Sequence, residues 1–179
     1  MYPFIRMSYQ LAIVRKMKRI APTETHVSHH RCWPWDLDLW MELNNGRTLT
    51  LFDLGRIPLA VRAGLTDVLR AKKWGMTVAG TSVRYRRRIR LFDKIEMHSR
   101  LVGWDDKFFY VDQTMWKGAD CTTQGFFRMA VTEKSGIVAP DRVVAAMGYT
   151  DAPPKIPEPI KNWINAENTR PWPPERLIP

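Results

Sequence analysis

The feature that most constrains this chain is an apolar run that would cover nearly every side of a helix. It follows Asn44 and Asn45, whose side chains can cap a helix start. The apolar positions are Leu49, Leu51, Phe52, Leu54, Ile57, Leu59, Ala60 and Val61. A helix that is apolar on most faces must be buried on most faces. We therefore expect a central helix with a kink near Pro58. Gly64 would end it before a second helix, Thr66 to Lys73.

The period of the apolar residues changes from helical spacing to strict alternation after Trp74-Gly75. Residues 79 to 91 predict a long strand with one apolar face and one face of arginines. Further alternating segments follow, separated by the turns GWDD (103 to 106) and KGAD (117 to 120). An earlier strand is predicted from Thr25 to Trp35. The pattern therefore indicates three or four consecutive antiparallel strands after the buried helix.

One buried helix against one antiparallel sheet is an α+β two-layer fold. A single helix cannot cover a sheet of this size, so we expect a homodimer or a homotetramer. The length of 179 residues suits one domain. We divide the chain into a basic amphipathic segment (1–24), the domain itself (25–150) and a tail rich in Pro and Trp (151–179). The tail is expected to wrap a surface around a short helix, Ile160 to Asn168, with Trp163 and Trp172 as anchors.

The net charge of +10 would attract any anionic partner. Nucleic acid is not expected, because the chain has neither a Gly-rich phosphate loop nor an aromatic and basic RNA motif.

Residues 4 to 20 can form an amphipathic helix, docked on the domain or on a second subunit. Peripheral membrane contact by this segment is the alternative. No secretory signal and no bilayer-length apolar window is seen, and Cys32 and Cys121 lack metal-site spacing. We therefore expect a cytoplasmic protein without a metal.

A motif in residues 33 to 56, WPWDLDLWMELNNGRTLTLFDLGR, resembles one shared by hotdog-fold acyl-CoA thioesterases, a family that includes 4-hydroxybenzoyl-CoA thioesterase and the plant acyl-ACP thioesterases. The matching positions are Asp36, Asp38, Asn44, Asn45, Gly55 and Arg56. A second segment, residues 83 to 102, is similar to the strand pair of that family. In the hotdog fold an antiparallel sheet wraps around one long central helix. Trp40, Glu42 and Thr48 stand where the family often has Asn, His and Tyr.

The resemblance implies hydrolysis of an acyl-CoA or acyl-carrier thioester, with coenzyme A entering only as part of the substrate. Asp38 is the leading base or nucleophile, since thioester hydrolysis needs a carboxylate near the carbonyl carbon. Glu42 is a second candidate because it replaces the usual His. Asp53 is a third, because it lies nine positions after Asn44, where another hotdog branch carries its acid. The alternatives are structural: Asp36 and Asp38 in a turn, Glu42 as a charge near the helix start, and Asp53 paired with an arginine.

The remaining candidates are donors and substrate contacts. The backbone N–H groups at the predicted helix start, from Asn44, Asn45 and Gly46, could hold an oxyanion. Trp40 could line an acyl pocket or a subunit contact. The arginines that could bind the phosphates of coenzyme A, or form a solvated strand face, are Arg84, Arg86, Arg88 and Arg90.

Two functions compete with hydrolysis. The first is non-catalytic acyl-CoA binding by a hotdog protein, which Trp40 and Glu42 favour because they replace the usual polar pair. The second, favoured less, is nucleic-acid binding through the arginine-rich segment.

Overall fold

The computed structural model describes residues 2–176. The helices are α1 Phe4–Val14, α2 Asn45–Arg62, α3 Leu65–Lys72, α4 Pro140–Ala146 and α5 Glu158–Asn168. The strands are β1 His26–Arg31, β2 Gly75–Tyr85, β3 Lys94–Trp104, β4 Phe109–Lys117, β5 Asp120–Glu133 and β6 Gly136–Val138. A short 3-10 turn, Pro34–Asp36, follows β1.

The strands form one antiparallel sheet in the order β1-β3-β4-β5-β2, and β6 pairs with β5. Helix α2 packs against β1, β3 and β4. Its Leu51, Phe52 and Leu54 are fully buried among side chains of the sheet such as Met97 and Met115. The α+β prediction, with one central helix against an antiparallel sheet, is therefore confirmed.

Local sequence determines where α2 begins. The Asn44 side-chain oxygen accepts hydrogen bonds from the N–H groups of Gly46, at 2.8 Å, and Arg47, at 3.1 Å. This satisfies two of the N–H groups that a helix start leaves without partners. The helix continues through Pro58 to Arg62. Gly64, at φ 81°, then allows the chain to turn into α3.

The predicted strand with an arginine face is wrong. Strand β2 ends at Tyr85, so Arg86, Arg87, Arg88 and Arg90 lie in the segment that follows it. Both faces of β2 are largely exposed, because β2 is the edge of the sheet and lies outside the part that α2 covers. The first strand is also shorter than predicted. It ends at Arg31, before the Pro34–Asp36 turn.

Both ends of the chain pack on the domain as predicted, but the N-terminal helix is shorter and only one of the two predicted tail anchors is used. Helix α1 stops at Val14 and lies against α2 with Met7, Gln10 and Val14 buried. In the tail, Trp163 contacts Tyr110, with ring centroids 6.4 Å apart. Trp172 is 87% exposed, so its predicted role as an anchor is wrong. None of the helices within residues 2–176 combines the length and the apolarity needed to cross a bilayer.

Candidate functional site

Asp36 connects three parts of the chain just before α2. Its side chain is fully buried, and its two oxygens lie 2.7 Å from Arg6 of α1 and 2.7 Å from Arg47 of α2. The backbone N–H of Trp33 donates to the same carboxylate at 3.1 Å. A buried carboxylate with two arginine partners has no oxygen directed at a substrate. Asp36 therefore acts as a structural clamp.

Asp38 stabilises a tight turn. Residues 37 to 43 form a small hairpin, in which Leu37 pairs with Leu43. The Asp38 carboxylate accepts from the N–H of Trp40 at 2.9 Å and from the N–H of Glu42 at 3.4 Å. Strand β1 ends at Arg31, so neither Asp36 nor Asp38 lies on it. One oxygen of the leading candidate base is thus engaged by the backbone of its own turn.

A cleft opens at the start of α2, on the far side of this hairpin. Its volume is about 210 Å³. It is lined by Glu42, Leu43, Asn45, Thr48, Tyr85, Arg86, Arg87, Arg88, Ile89 and Thr123. Four of the residues predicted from the sequence are therefore brought together here: Glu42, Asn45, Arg86 and Arg88. The carboxylate of Glu42 lies 2.9 Å from the Arg88 Nε, which places one acid among three arginines.

The helix start at this cleft has one N–H group free for a ligand. Two of the three predicted oxyanion donors are already used: the Asn44 N–H donates to the Asp36 carbonyl at 2.9 Å, and the Gly46 N–H donates to the Asn44 side-chain oxygen. Within residues 2–176 no acceptor is found for the Asn45 N–H. Because the N-terminus of a helix carries about half a positive charge and Asn45 lines the cleft, the helix start contributes a favourable field there.

Asp53 lies away from the cleft, in the middle of α2. It forms an ion pair with Arg56 and accepts a hydrogen bond from the Tyr2 hydroxyl. Burial raises the pKa of Asp53, while Arg56 and Tyr2 act in the opposite direction. Burial, with the charge of Asp53 adding to it, raises the pKa of Tyr2 to about 12. The pairing with Arg56 is the structural alternative that the sequence left open.

A buried polar network lies next to Asp53, and it was not predicted from the sequence. Arg56 is 5% exposed and donates to the Gln113 side-chain oxygen at 2.7 Å. The Gln113 amide donates to Ser99 Oγ at 2.7 Å and to the Phe52 carbonyl at 2.9 Å. Arg56 also borders an apolar cavity of about 60 Å³ between α2 and the sheet. Fifty-seven positions separate Arg56 from Gln113, so no local pattern links them.

Three predicted substrate contacts, Trp40, Arg84 and Arg90, are not among the residues that line the cleft. Trp40 projects from the tip of the 38–41 turn and is exposed. Arg84 lies on β2, opposite Gln124 of β5. Six lining residues were not predicted as site residues from the sequence: Leu43, Thr48, Tyr85, Arg87, Ile89 and Thr123. Tyr85 and Arg87 belong to the arginine-rich segment and could have been included. Thr123 could not, because only the pairing of β2 with β5 sets it opposite Tyr85.

Comparison with known proteins agrees with this architecture. Residues 32–164 match a family model described as the thioesterase-like superfamily. Protein THEM6 of Xenopus laevis is 34% identical over 134 residues, which cover 73% of this chain and 63% of that protein. The match thus spans less than two thirds of that relative.

Solved thioesterase structures share the hotdog fold at low identity. A DHNA-CoA thioesterase from Staphylococcus aureus superposes with a TM-score of 0.62 at 12% identity, covering 80% of this chain and 93% of that one. A structure from Bartonella henselae described as "Probable Thioesterase" superposes with a TM-score of 0.59 at 16% identity, covering 65% of this chain and 98% of that one. These likenesses show the fold, and the family model covers most of the chain. The chain belongs to the thioesterase-like superfamily.

Proposed function

We propose that this chain hydrolyses an acyl-CoA or acyl-carrier thioester in the cleft at the start of α2. One observation carries the proposal: Glu42 lies in that cleft with three arginines, beside the positive end of the central helix. A carboxylate can activate water, and a positive field can stabilise the oxyanion that forms on the carbonyl oxygen. The thioesterase names of the structural neighbours are consistent with this chemistry.

In this proposal Glu42 acts as general base. It removes a proton from water as the water oxygen attacks the thioester carbonyl carbon. The carbonyl oxygen becomes an oxyanion, which the Asn45 N–H and the arginine side chains stabilise. When the carbon–sulfur bond breaks, Glu42 returns the proton to the leaving thiolate, and a free acid and a thiol result. Arg86 and Arg87 are exposed at the cleft and suit the phosphates of coenzyme A.

Asp38 becomes a positioning residue in this scheme. Its N–H donates to the Glu42 carbonyl at 2.9 Å, and its carboxylate accepts from the Glu42 N–H. It therefore holds the backbone from which the Glu42 side chain projects. Asp38 as the base itself remains the rival assignment, because its second oxygen is not used by the turn bonds described above.

A homo-oligomer and a cytoplasmic setting remain part of the proposal. Within residues 2–176, β2 pairs with β5 alone, so the other edge of β2 is open to a strand from a second copy. Both cysteines are unpaired, which suits a reducing compartment.

The test is a thiol-release assay over short, long and aryl acyl-CoAs. Glu42→Gln should lower kcat/KM by about 10²–10⁴-fold, as expected when a general base is removed. Asp53→Asn is the matched control and should keep most of the activity, because Asp53 lies outside the cleft. If Glu42→Gln turns over like the wild type while Asp38→Asn is inactive, Glu42 is not the base.

A second candidate function, acyl-CoA binding without hydrolysis, is favoured by two contacts. Glu42 is paired with Arg88, and the Asp38 carboxylate is turned into its own loop. Acyl-CoA binding detected by calorimetry with no thiol release from any substrate would decide for this alternative.

Asn44→Asp, which retains the helix cap, and Asn44→Ala, which removes it, would separate loss of helix stability from loss of chemistry.

A further inference from the structure

Two neighbouring turns expose an unusual set of large apolar side chains. One turn spans residues 38 to 41 and the other lies at residues 91 and 92, with Trp35 beside them. The exposed fractions run from 36% to 93%. The members of this surface, which we call the apolar tip, are Trp35, Leu39, Trp40, Met41, Leu91 and Phe92. Contiguous exposed apolar surface of this kind is typical of an interaction site.

The two turns form one surface because backbone bonds join them. Glu42 pairs with Arg90, and the Leu43 N–H donates to the Ile89 carbonyl at 2.8 Å. Aromatic contacts extend the surface. The ring of Trp33 stacks on Trp35 at 5.6 Å and meets the edge of Phe92 at 5.9 Å.

The tips of both turns are held in a conformation that bulky residues rarely adopt. Met41 has φ 57° and Phe92 has φ 61°. Such residues cost about 1–2 kcal/mol in this region, where Gly or Asn fits better. Hydrogen bonds fix both turns. Asp38 accepts from the N–H of Trp40, and Asp93 accepts from the N–H of Arg90 at 2.8 Å. The apolar side chains are therefore presented on a rigid frame.

Positive charge surrounds the apolar tip. Arg31, Arg90 and Lys94 are exposed next to its turns, and Arg86 and Arg87 follow on the cleft side. Three of the nearby acids are paired with cations, and Asp38 is bonded to N–H groups of its own turn. Asp36 pairs with two arginines, Glu42 with Arg88, and Asp93 with Lys117 at 3.1 Å. The tip is thus an apolar, Trp-containing protrusion bordered by cations.

We propose that the apolar tip docks on an anionic lipid bilayer. Tryptophan side chains prefer the boundary between headgroups and acyl chains, and each nearby Lys or Arg adds attraction to anionic headgroups. A second copy of the chain fits less well. A symmetric contact through the same patch would bring the arginines of one copy against those of the other. The proposal does not depend on thioester hydrolysis.

The test is co-sedimentation of the full chain with vesicles. One set is phosphatidylcholine alone and the other contains about 30% phosphatidylserine, to supply the negative surface. Trp40→Ser/Met41→Asn removes two exposed apolar side chains, and Asn tolerates the backbone conformation at 41. Trp172→Ser is the matched control, because Trp172 is also exposed but lies in the tail.

Wild-type protein should bind the phosphatidylserine vesicles, and added salt should weaken that binding. The double variant should bind them at least about tenfold less, because burial of its apolar area is lost. Trp172→Ser should bind like the wild type. Failure of the wild type to sediment with anionic vesicles, or equal binding by the double variant, would overturn the proposal. So would a change in the oligomeric state of the double variant without lipid, because the tip would then be an interface between copies.

Discussion

Asp36 and Arg47 form a buried ion pair, with 2.7 Å between carboxylate oxygen and guanidinium nitrogen, that joins the loop before α2 to its first turn. Arg6 approaches the other oxygen at the same distance, so α1 is fastened to the same point. Removing the shared acid would take from both arginines, each 17% exposed, the carboxylate that balances their charge. A buried charge without its partner is strongly destabilising.

We therefore expect Asp36→Asn to lower the free energy of unfolding by roughly 3–5 kcal/mol. Urea unfolding followed by Trp fluorescence would measure it. Asp38→Asn is the matched control, because Asp38 lies in a partly exposed turn, and its loss should stay within about 1 kcal/mol. Equal losses in the two variants would show that Asp36 is not the clamp described here.

At Gly55, α2 approaches the sheet closely. A Cβ at this position would lie 2.5 Å from Ser99 Oγ and 2.6 Å from Met97 Sδ, so both side chains would have to move. Alanine favours a helix over glycine by about 1 kcal/mol, but overpacking a core costs about 1–3 kcal/mol. Because Ser99 also bonds Gln113, the displacement would reach the Arg56 network.

Gly55→Ala should therefore destabilise the fold in spite of its better helix propensity, and a lower midpoint in thermal or urea unfolding would show it. Gly46→Ala on the same helix is the control, since its Cβ would meet only the Asn44 oxygen, at 3.2 Å. A Gly55→Ala protein more stable than the wild type would mean that the helix and the sheet can separate without cost.

The central helix could be predicted because its signals are local. The Asn44 cap, the apolar run and Gly64 all lie within about six helical turns, and the structure follows them. The conformation of the arginine segment could not be predicted. The end of β2 is set by its pairing with β5, in which Tyr85 lies opposite Thr123. Arg86 and Arg87 still donate to the Thr122 carbonyl, and from Ile89 onward the chain pairs with the 37–43 hairpin. The alternation of apolar and polar residues in a sequence does not show where a strand stops pairing with its neighbour in the sheet.

The same limit applies to the candidate site. A motif places Asp36, Asp38 and Glu42 within seven positions, but it does not say which carboxylate lines the cleft. Arg6 and Arg47 occupy Asp36, and the turn occupies one oxygen of Asp38. These contacts depend on where α1 and the hairpin come to lie. Only the tertiary structure distinguishes Glu42, which lines the cleft, from Asp36 and Asp38, which do not.

A buried histidine, His26, and a half-buried one, His30, predict that stability depends on pH. His26 is 1% exposed, and its Nδ1 lies 3.1 Å from Arg62 Nη1. Burial, reinforced by the charge of Arg62, lowers its pKa from 6.5 to about 4. Burial, with the charge of Arg6 acting in the same direction, lowers the pKa of His30 from 6.5 to about 3. Both imidazoles are therefore neutral in the folded protein at neutral pH.

As pH falls below about 6.5, the unfolded chain takes up protons at these positions before the folded chain does. The free energy of unfolding should therefore decrease between about pH 6.5 and pH 4, with each histidine contributing up to about 1.4 kcal/mol per pH unit. Above pH 7 the two residues should add no slope. The raised pKa of Asp53 acts in the opposite direction and offsets part of this loss at the acid end.

Urea unfolding of the wild type at several pH values from 7.5 to 4.5 would measure the slope. His26→Gln/His30→Gln should be less stable at pH 7.5 but should lose less stability on acidification, because glutamine does not titrate. The comparison of slopes separates the titration from the packing change that the substitutions also cause. A wild-type stability that stays constant from pH 7 to pH 5, or equal slopes in the two proteins, would show that these histidines are not held neutral by burial.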